Sequence, residues 1–141
     1  MSQFLGLDIG EKTVGVAISG GFYAQPLMTI TYENQDLAQA VSKVLALCKE
    51  HLVTQIVAGL PKHMSNEIGE SANRVLAFKE LFEQAGGPPI ALWDERLSTK
   101  EATRILISAD VSRKKRKKVI DQMAAVIILQ GYLDQASRRN V

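Results

Sequence analysis

Three acids sit where backbone elements should end. Asp8 lies inside Gly6-Leu7-Asp8-Ile9-Gly10, Glu95 inside Trp93-Asp94-Glu95-Arg96, and Asp121 inside Val119-Ile120-Asp121-Gln122-Met123. An ionised carboxylate among apolar strand residues is costly unless it is paired or binds a cation. If the three were brought together they would repel, and a cation between them would relieve the repulsion. Ligands that are all oxygen select Mg²⁺ or Mn²⁺ over zinc. One or two such ions acidify water and stabilise the departing oxyanion of a phosphodiester. The chemistry these residue types suit is therefore hydrolysis at phosphorus.

A second feature points at the same substrate class. Arg113, Lys114, Lys115, Arg116, Lys117 and Lys118 are six consecutive cations. They hold six of the 17 Lys and Arg, leaving 11 against 15 Asp and Glu, so the formal charge of +2 hides a local positive field on an otherwise acidic chain. Such a run reads either as a solvated basic loop or as the contact for a polyanion.

Each acid also has a plainer role. Asp8 would accept hydrogen bonds from the Gly10 and Thr13 amides in a turn. Glu95 would pair with Arg96. Asp121 would be favoured at a helix start by the helix dipole. Strand alternation does not choose between Asp94 and Glu95 as the ligand. His63, Ser65 and Asn66 would border the site in a loop, and Trp93 reads as core. Cys48 and His51 share a helix face, where packing explains them without a metal.

The elements that must position these residues follow from pattern. Residues 4–10 and 14–19 read as two strands joined by the Glu11-Lys12-Thr13 turn, and residues 26–32 as a third. Asn34 or Asp36 caps a first helix with Leu37, Val41, Val44, Leu45, Cys48 and Leu52 on one face. Residues 55–60 form a fourth strand, ended by Pro61. Residues 62–69 form a loop, and the next helix sets Ala72, Val75, Leu76, Lys79 and Phe82 along a face. Gly86-Gly87-Pro88-Pro89 stops it. Residues 90–95 make a fifth strand, and Ser98 with Glu101 a capping box for a third helix. The basic run then loops into a last helix over residues 119–136, with Asp121 in its first turn on the face of Ala124, Ala125 and Ile128. This order predicts an α/β fold: a mixed five-stranded sheet, its first three strands antiparallel, flanked by helices on both faces.

Composition bounds the rest. A chain of 141 residues, 46% hydrophobic and 23% charged, reads as one globular domain over residues 1–141. The sequence has no secretory pattern, and its longest apolar run, residues 123–129, is too short to span a bilayer. A single cysteine excludes an internal disulfide and favours the cytosol.

The blocks Gly6-Leu7-Asp8-Ile9-Gly10 with Lys12, Gly15-Val16-Ala17-Ile18-Ser19, Gly59-Leu60-Pro61, Asp94-Glu95-Arg96-Leu97-Ser98-Thr99 and Asp121 with Ala124-Ala125 and Ile128-Leu129-Gln130 resemble, in this order, the YqgF (RuvX) family. The chain departs from the family pattern at Thr13, Gly20 and Met64-Ser65-Asn66. The resemblance implies a ribonuclease H-like fold similar to the RuvC resolvases. It implies a metal-dependent nuclease with Asp8, Glu95 and Asp121 as metal ligands, and with Lys12 and Arg96 beside them to touch phosphate. Its members are described as candidate Holliday junction resolvases and as nucleases maturing the 5′ end of 16S ribosomal RNA. The expected partners are therefore precursor rRNA or branched DNA, with the ribosome as a further one. No membrane is expected, and the chain would act as a monomer or, for junctions, a homodimer. A binding module without catalysis, and a phosphotransferase related to actin-like kinases, are the other classes considered.

Overall fold

The computed structural model describes residues 3–61, 69–94 and 113–139, with only the backbone for 113–121 and 137–139. Strands β1 (Gln3–Ile9), β2 (Thr13–Ser19) and β3 (Gln25–Thr31) come first, followed by helix α1 (Leu37–His51), β4 (Val53–Leu60), α2 (Glu70–Gln84), β5 (Ile90–Asp94) and α3 (Arg113–Arg139). The strands form a five-stranded sheet in the order β3-β2-β1-β4-β5. β1 pairs antiparallel with β2, and β2 antiparallel with β3. β4 runs parallel to β1, and β5 parallel to β4. The mixed sheet with an antiparallel opening is as expected.

Alternation along β1 sorts the two faces. Leu5, Leu7 and Ile9 join Val14, Val16 and Ile56 in a core covered by α1 and α2. Phe4 faces the other way, with Ala17, Val57, Ala125, Ile128 and Leu129 in a second core under α3. Helix α1 buries Ala40, Val41, Val44, Leu47 and Cys48. Leu52, expected on this face, is the helix's left-handed C-cap and is 68% exposed.

In α2 the buried face is Ala72, Val75, Phe78 and Phe82, one position round from the expected Leu76 and Lys79. The cause is the Phe78–Phe82 stack, with ring centroids 5.7 Å apart. Burying each ring is worth about 2–3 kcal/mol, which outweighs one leucine at the rim. Lys79 instead bridges Glu83 at 2.6 Å. Gly86, at φ 82, supplies the left-handed step after the helix that the glycine-rich stop predicts.

The last helix departs most from expectation. It begins at Arg113, so the basic run forms its opening turns rather than a loop. Lysine and arginine are good helix formers, and no residue from 113 to 119 breaks a helix. Asp121 therefore sits a little over two turns inside α3, not at its start, and the dipole argument for its charge does not apply. The expected helix at residues 98–106 lies outside the described residues. Among the described residues, no helix is long and apolar enough to cross a membrane.

Candidate functional site

The parallel pairing of β1, β4 and β5 fixes one geometric fact: these strands all end at the same edge of the sheet, at Ile9, Leu60 and Asp94. The chain leaves β1 for the β2–β3 side and returns to β4 on the other. The junction of β1 and β4 is thus the point where strand order reverses, where open α/β sheets place their ligands. Asp8 is the penultimate residue of β1, beside that junction.

Asp8 shares the face of Phe4 and Gly6, the face covered by α3, and is half-buried. It pairs with buried Gly15 of β2, a strand neighbour without a side chain. Helix α3 approaches closely here. A Cβ on Gly6 would stand 2.7 Å from the Ala125 carbonyl oxygen and 2.7 Å from Leu129 Cβ.

The direction of α3 across the sheet is set by two side-chain anchors along its length, Gln122 and Gln130. At the earlier of the two, Gln122 Nε2 donates to Thr29 Oγ1 at 3.1 Å, and Thr29 pairs with Gly15, which pairs with Asp8. Further on, Gln130 accepts from the Ala24 amide at 2.8 Å and donates to the Phe22 carbonyl at 2.9 Å, at the far end of the β2–β3 hairpin. The opening part of α3 thus lies toward the Asp8 edge. Asp121 is adjacent to Gln122 and one turn before Ala125.

The turn after Asp8 is braced. The Gly10 amide donates to the Thr13 carbonyl at 2.8 Å, and the Tyr32 amide to the Lys12 carbonyl at 3.0 Å. The buried Tyr32 hydroxyl donates to the Gly10 carbonyl oxygen. Burial pushes the Tyr32 phenol above its ordinary pKa; Arg74 works against that rise and Glu11 adds to it. Lys12 is exposed at the tip of this turn. Strand pattern carried no sign of the tyrosine's role, because its partner lies in another hairpin. A polar residue beside Asp121 was the one available hint of Gln122.

Of the expected site residues, Asp8 and Lys12 are placed with their side chains. Asp121 and residues 113–118 are placed on the backbone of α3. Glu95 directly follows Asp94 in sequence, and with Arg96, His63, Ser65 and Asn66 it lies outside the described residues. Among the described residues, no three His, Cys, Asp or Glu side chains gather as a metal site. Asp8 brings a hard oxygen donor, which fits a divalent ion of the Mg²⁺ class. Trp93 packs edge-on against Tyr132, with centroids 6.4 Å apart, so it belongs to the core under α3 as expected.

Comparison with known proteins bears on the whole chain. Residues 2–135 match the family model described as RuvX, Holliday junction resolvase. A protein of Shouchella clausii named "Putative pre-16S rRNA nuclease" is 51% identical over 135 residues, covering 94% of this chain and 95% of its own. One of Oceanobacillus iheyensis with the same name is 47% identical, covering 94% and 98%. Among solved structures, T. thermophilus RuvC in complex with Holliday junction substrate superposes with a TM-score of 0.62 at 13% identity, covering 96% of this chain and 97% of that one. At that identity the likeness shows the fold, which is that of the RuvC resolvases.

Proposed function

Because this chain belongs to the RuvX family, we propose that it is a nuclease that cuts phosphodiester bonds in the 5′-end maturation of precursor 16S ribosomal RNA. The observation that carries the reading is the position of Asp8. It is half-buried at the end of β1, on the face crossed by the helix that bears Asp121, and at the edge where β5 ends one residue before Glu95.

In this reading the whole chain acts as one nuclease domain in the cytosol. Asp8, Glu95 and Asp121 hold one or two Mg²⁺ or Mn²⁺ ions. When bound, such an ion supplies positive charge to the phosphoryl oxygens and makes water more acidic. The three carboxylates fix where the scissile phosphate sits. The fold limits their freedom: Gly6 seats α3 against β1, and Tyr32 holds the turn behind Asp8. Lys12, four residues past Asp8, and Arg96, next to Glu95, bind the phosphates flanking the cut. Residues 113–118 track the backbone further along. Contacts of this kind provide affinity and register without reading sequence.

The test is cleavage of precursor 16S rRNA in Mg²⁺ by the natural protein and by Asp8→Asn. The substitution keeps shape and removes a charged ligand. It should slow cleavage by about 10²-fold or more, the scale on which one lost stabiliser of developing charge is felt. Equal cleavage by both rejects the role of Asp8.

The family description favours a second reading, resolution of four-way DNA junctions. Both strands of a junction must be cut, so that reading requires two copies on one substrate. Solution mass in the presence of junction DNA, and cleavage of junctions against rRNA, separate the two.

A further inference from the structure

On the sheet face opposite α3, behind the turn that follows Asp8, lies a cavity of about 390 Å³. Tyr32 and Leu37 form its apolar walls, Glu11 and Gln35 lie at its margin, and the opening of α2 contributes Glu70, Asn73 and Arg74. Its volume is ample for a nucleobase.

The state of its charged groups is informative. Glu70 and Arg74 are four apart on α2, the spacing at which Glu and Arg ordinarily bridge. Among the described residues their side chains do not, and neither side chain makes another ion pair or hydrogen bond there. Arg74 is nonetheless partly buried, with its guanidinium field reaching Tyr32. Glu11 is engaged at the margin by Gln35, whose Nε2 lies 3.5 Å from Glu11 Oε1. Gln35 and Asn34 both hold left-handed backbone, at φ 55 and 56. For Gln35, with its long side chain, that conformation is costly.

The charge pattern selects the ligand. A phosphate suits Arg74 but meets Glu11 and Glu70, and a cation meets Arg74. A flat, neutral group with donors on one edge and acceptors on the next suits both. Guanine has that pattern. Its O6 and N7 accept from an arginine fork, and its N1–H and N2–H₂ donate to a carboxylate. Cytosine and uracil lack the O6/N7 edge, and adenine replaces the O6 acceptor with a donor.

We propose that this pocket binds a guanine base of an unpaired strand, with Arg74 on its O6/N7 edge and Glu70 on its N1/N2 edge. The proposal rests on the nuclease reading for its purpose. Glu11 is three residues from Asp8, no more than about 10 Å of chain. A base held here therefore belongs to a nucleotide close to the phosphate at Asp8, with the strand passing over the sheet edge between the two faces. Single-stranded RNA is ordinarily read in this way, by bases turned out into pockets. The pocket would choose which bond the carboxylates cut.

The experiment titrates GMP, AMP, CMP, UMP and inorganic phosphate into the full-length protein in EDTA, followed by amide chemical shifts. GMP should bind at least about tenfold tighter than the other three nucleotides, as one good bidentate contact implies, and should shift the amides of α2. Arg74→Lys keeps the charge and loses the fork, and it should abolish the preference while the protein stays folded; Glu70→Gln should weaken it. Asp8→Asn should bind GMP as the natural protein does while failing to cleave, so the pocket and the nuclease reading fail separately. Equal binding of the four nucleotides, binding of phosphate alone, or no binding overturns the proposal. So does a preference that survives Arg74→Lys.

Discussion

Gly6 of β1 and Ala125 of α3 meet backbone to backbone: a Cβ on Gly6 would stand 2.7 Å from the Ala125 carbonyl oxygen. No side chain fits without moving the helix, and one turn before Ala125 is Asp121. Gly6→Ala should cost about 1–3 kcal/mol, the usual range for overpacking a filled site. The displaced helix should also carry Asp121 away from Asp8. Urea midpoints measure the first effect. Cleavage rates measured where the variant is still folded isolate the second, and they should fall by more than the unfolded fraction explains.

The Tyr32 hydroxyl on the Gly10 carbonyl is the counterpart on the other side of Asp8. Tyr32→Phe leaves the ring in the core and the carbonyl short of a donor. It should destabilise by about 1–3 kcal/mol, the cost of an unsatisfied buried group. If the turn positions Asp8, kcat should fall with KM little changed, since the loss is felt at the reacting phosphate. An unchanged kcat with lowered stability would make Tyr32 a structural brace only.

The first three strands, the helix between β3 and β4, and the apolar face of Ala124, Ala125 and Ile128 could be read from periodicity, because each depends on neighbours within a few residues. The common edge of β1 and β5 could be expected from a helix linking the later strands. The start of α3 could not. Six cations look like a solvated loop, yet their helix propensity is high and apolar residues downstream anchor the helix. Phe78 in place of Leu76 was decided by a ring stack, which depends on shape rather than spacing. The Tyr32 brace and the Glu70–Arg74 cavity join three segments distant in sequence, and nothing local in any of them announces the others. Glu95 and Arg96 lie outside the described residues, so their place in the site rests on sequence.

The basic run should govern affinity and leave chemistry alone. Lys114, Lys115, Lys117 and Lys118 changed together to alanine keep helix propensity while removing charge. The slope of log Kobs for RNA against log salt should become shallower by about 0.7 for each lysine that meets a phosphate of a single strand. KM should rise and kcat stay near its natural value. Unchanged salt dependence would mean that these turns face away from the substrate.

Cys48 provides a test of the core under α1 that does not involve substrate. It is 6% exposed, and burial pushes its thiol from 9.0 up to about 11. The folded state therefore holds its proton more tightly than the unfolded state. Below pH 9 both states are protonated and the full stability is present. Between pH 9 and about 11 only the unfolded thiol ionises, so stability falls with rising pH, by about 2–3 kcal/mol across the window. Tyr32, raised above 10.0 by burial, adds a loss of the same sign at the upper end. Cys48→Ala should be less stable at neutral pH, because it leaves a small cavity. It should lose less on going from pH 8 to pH 10.5, so urea midpoints of the two proteins should converge with rising pH. Parallel curves would mean that the thiol reaches water in the folded state, and a thiol reagent should then label it quickly at pH 8 rather than only on unfolding.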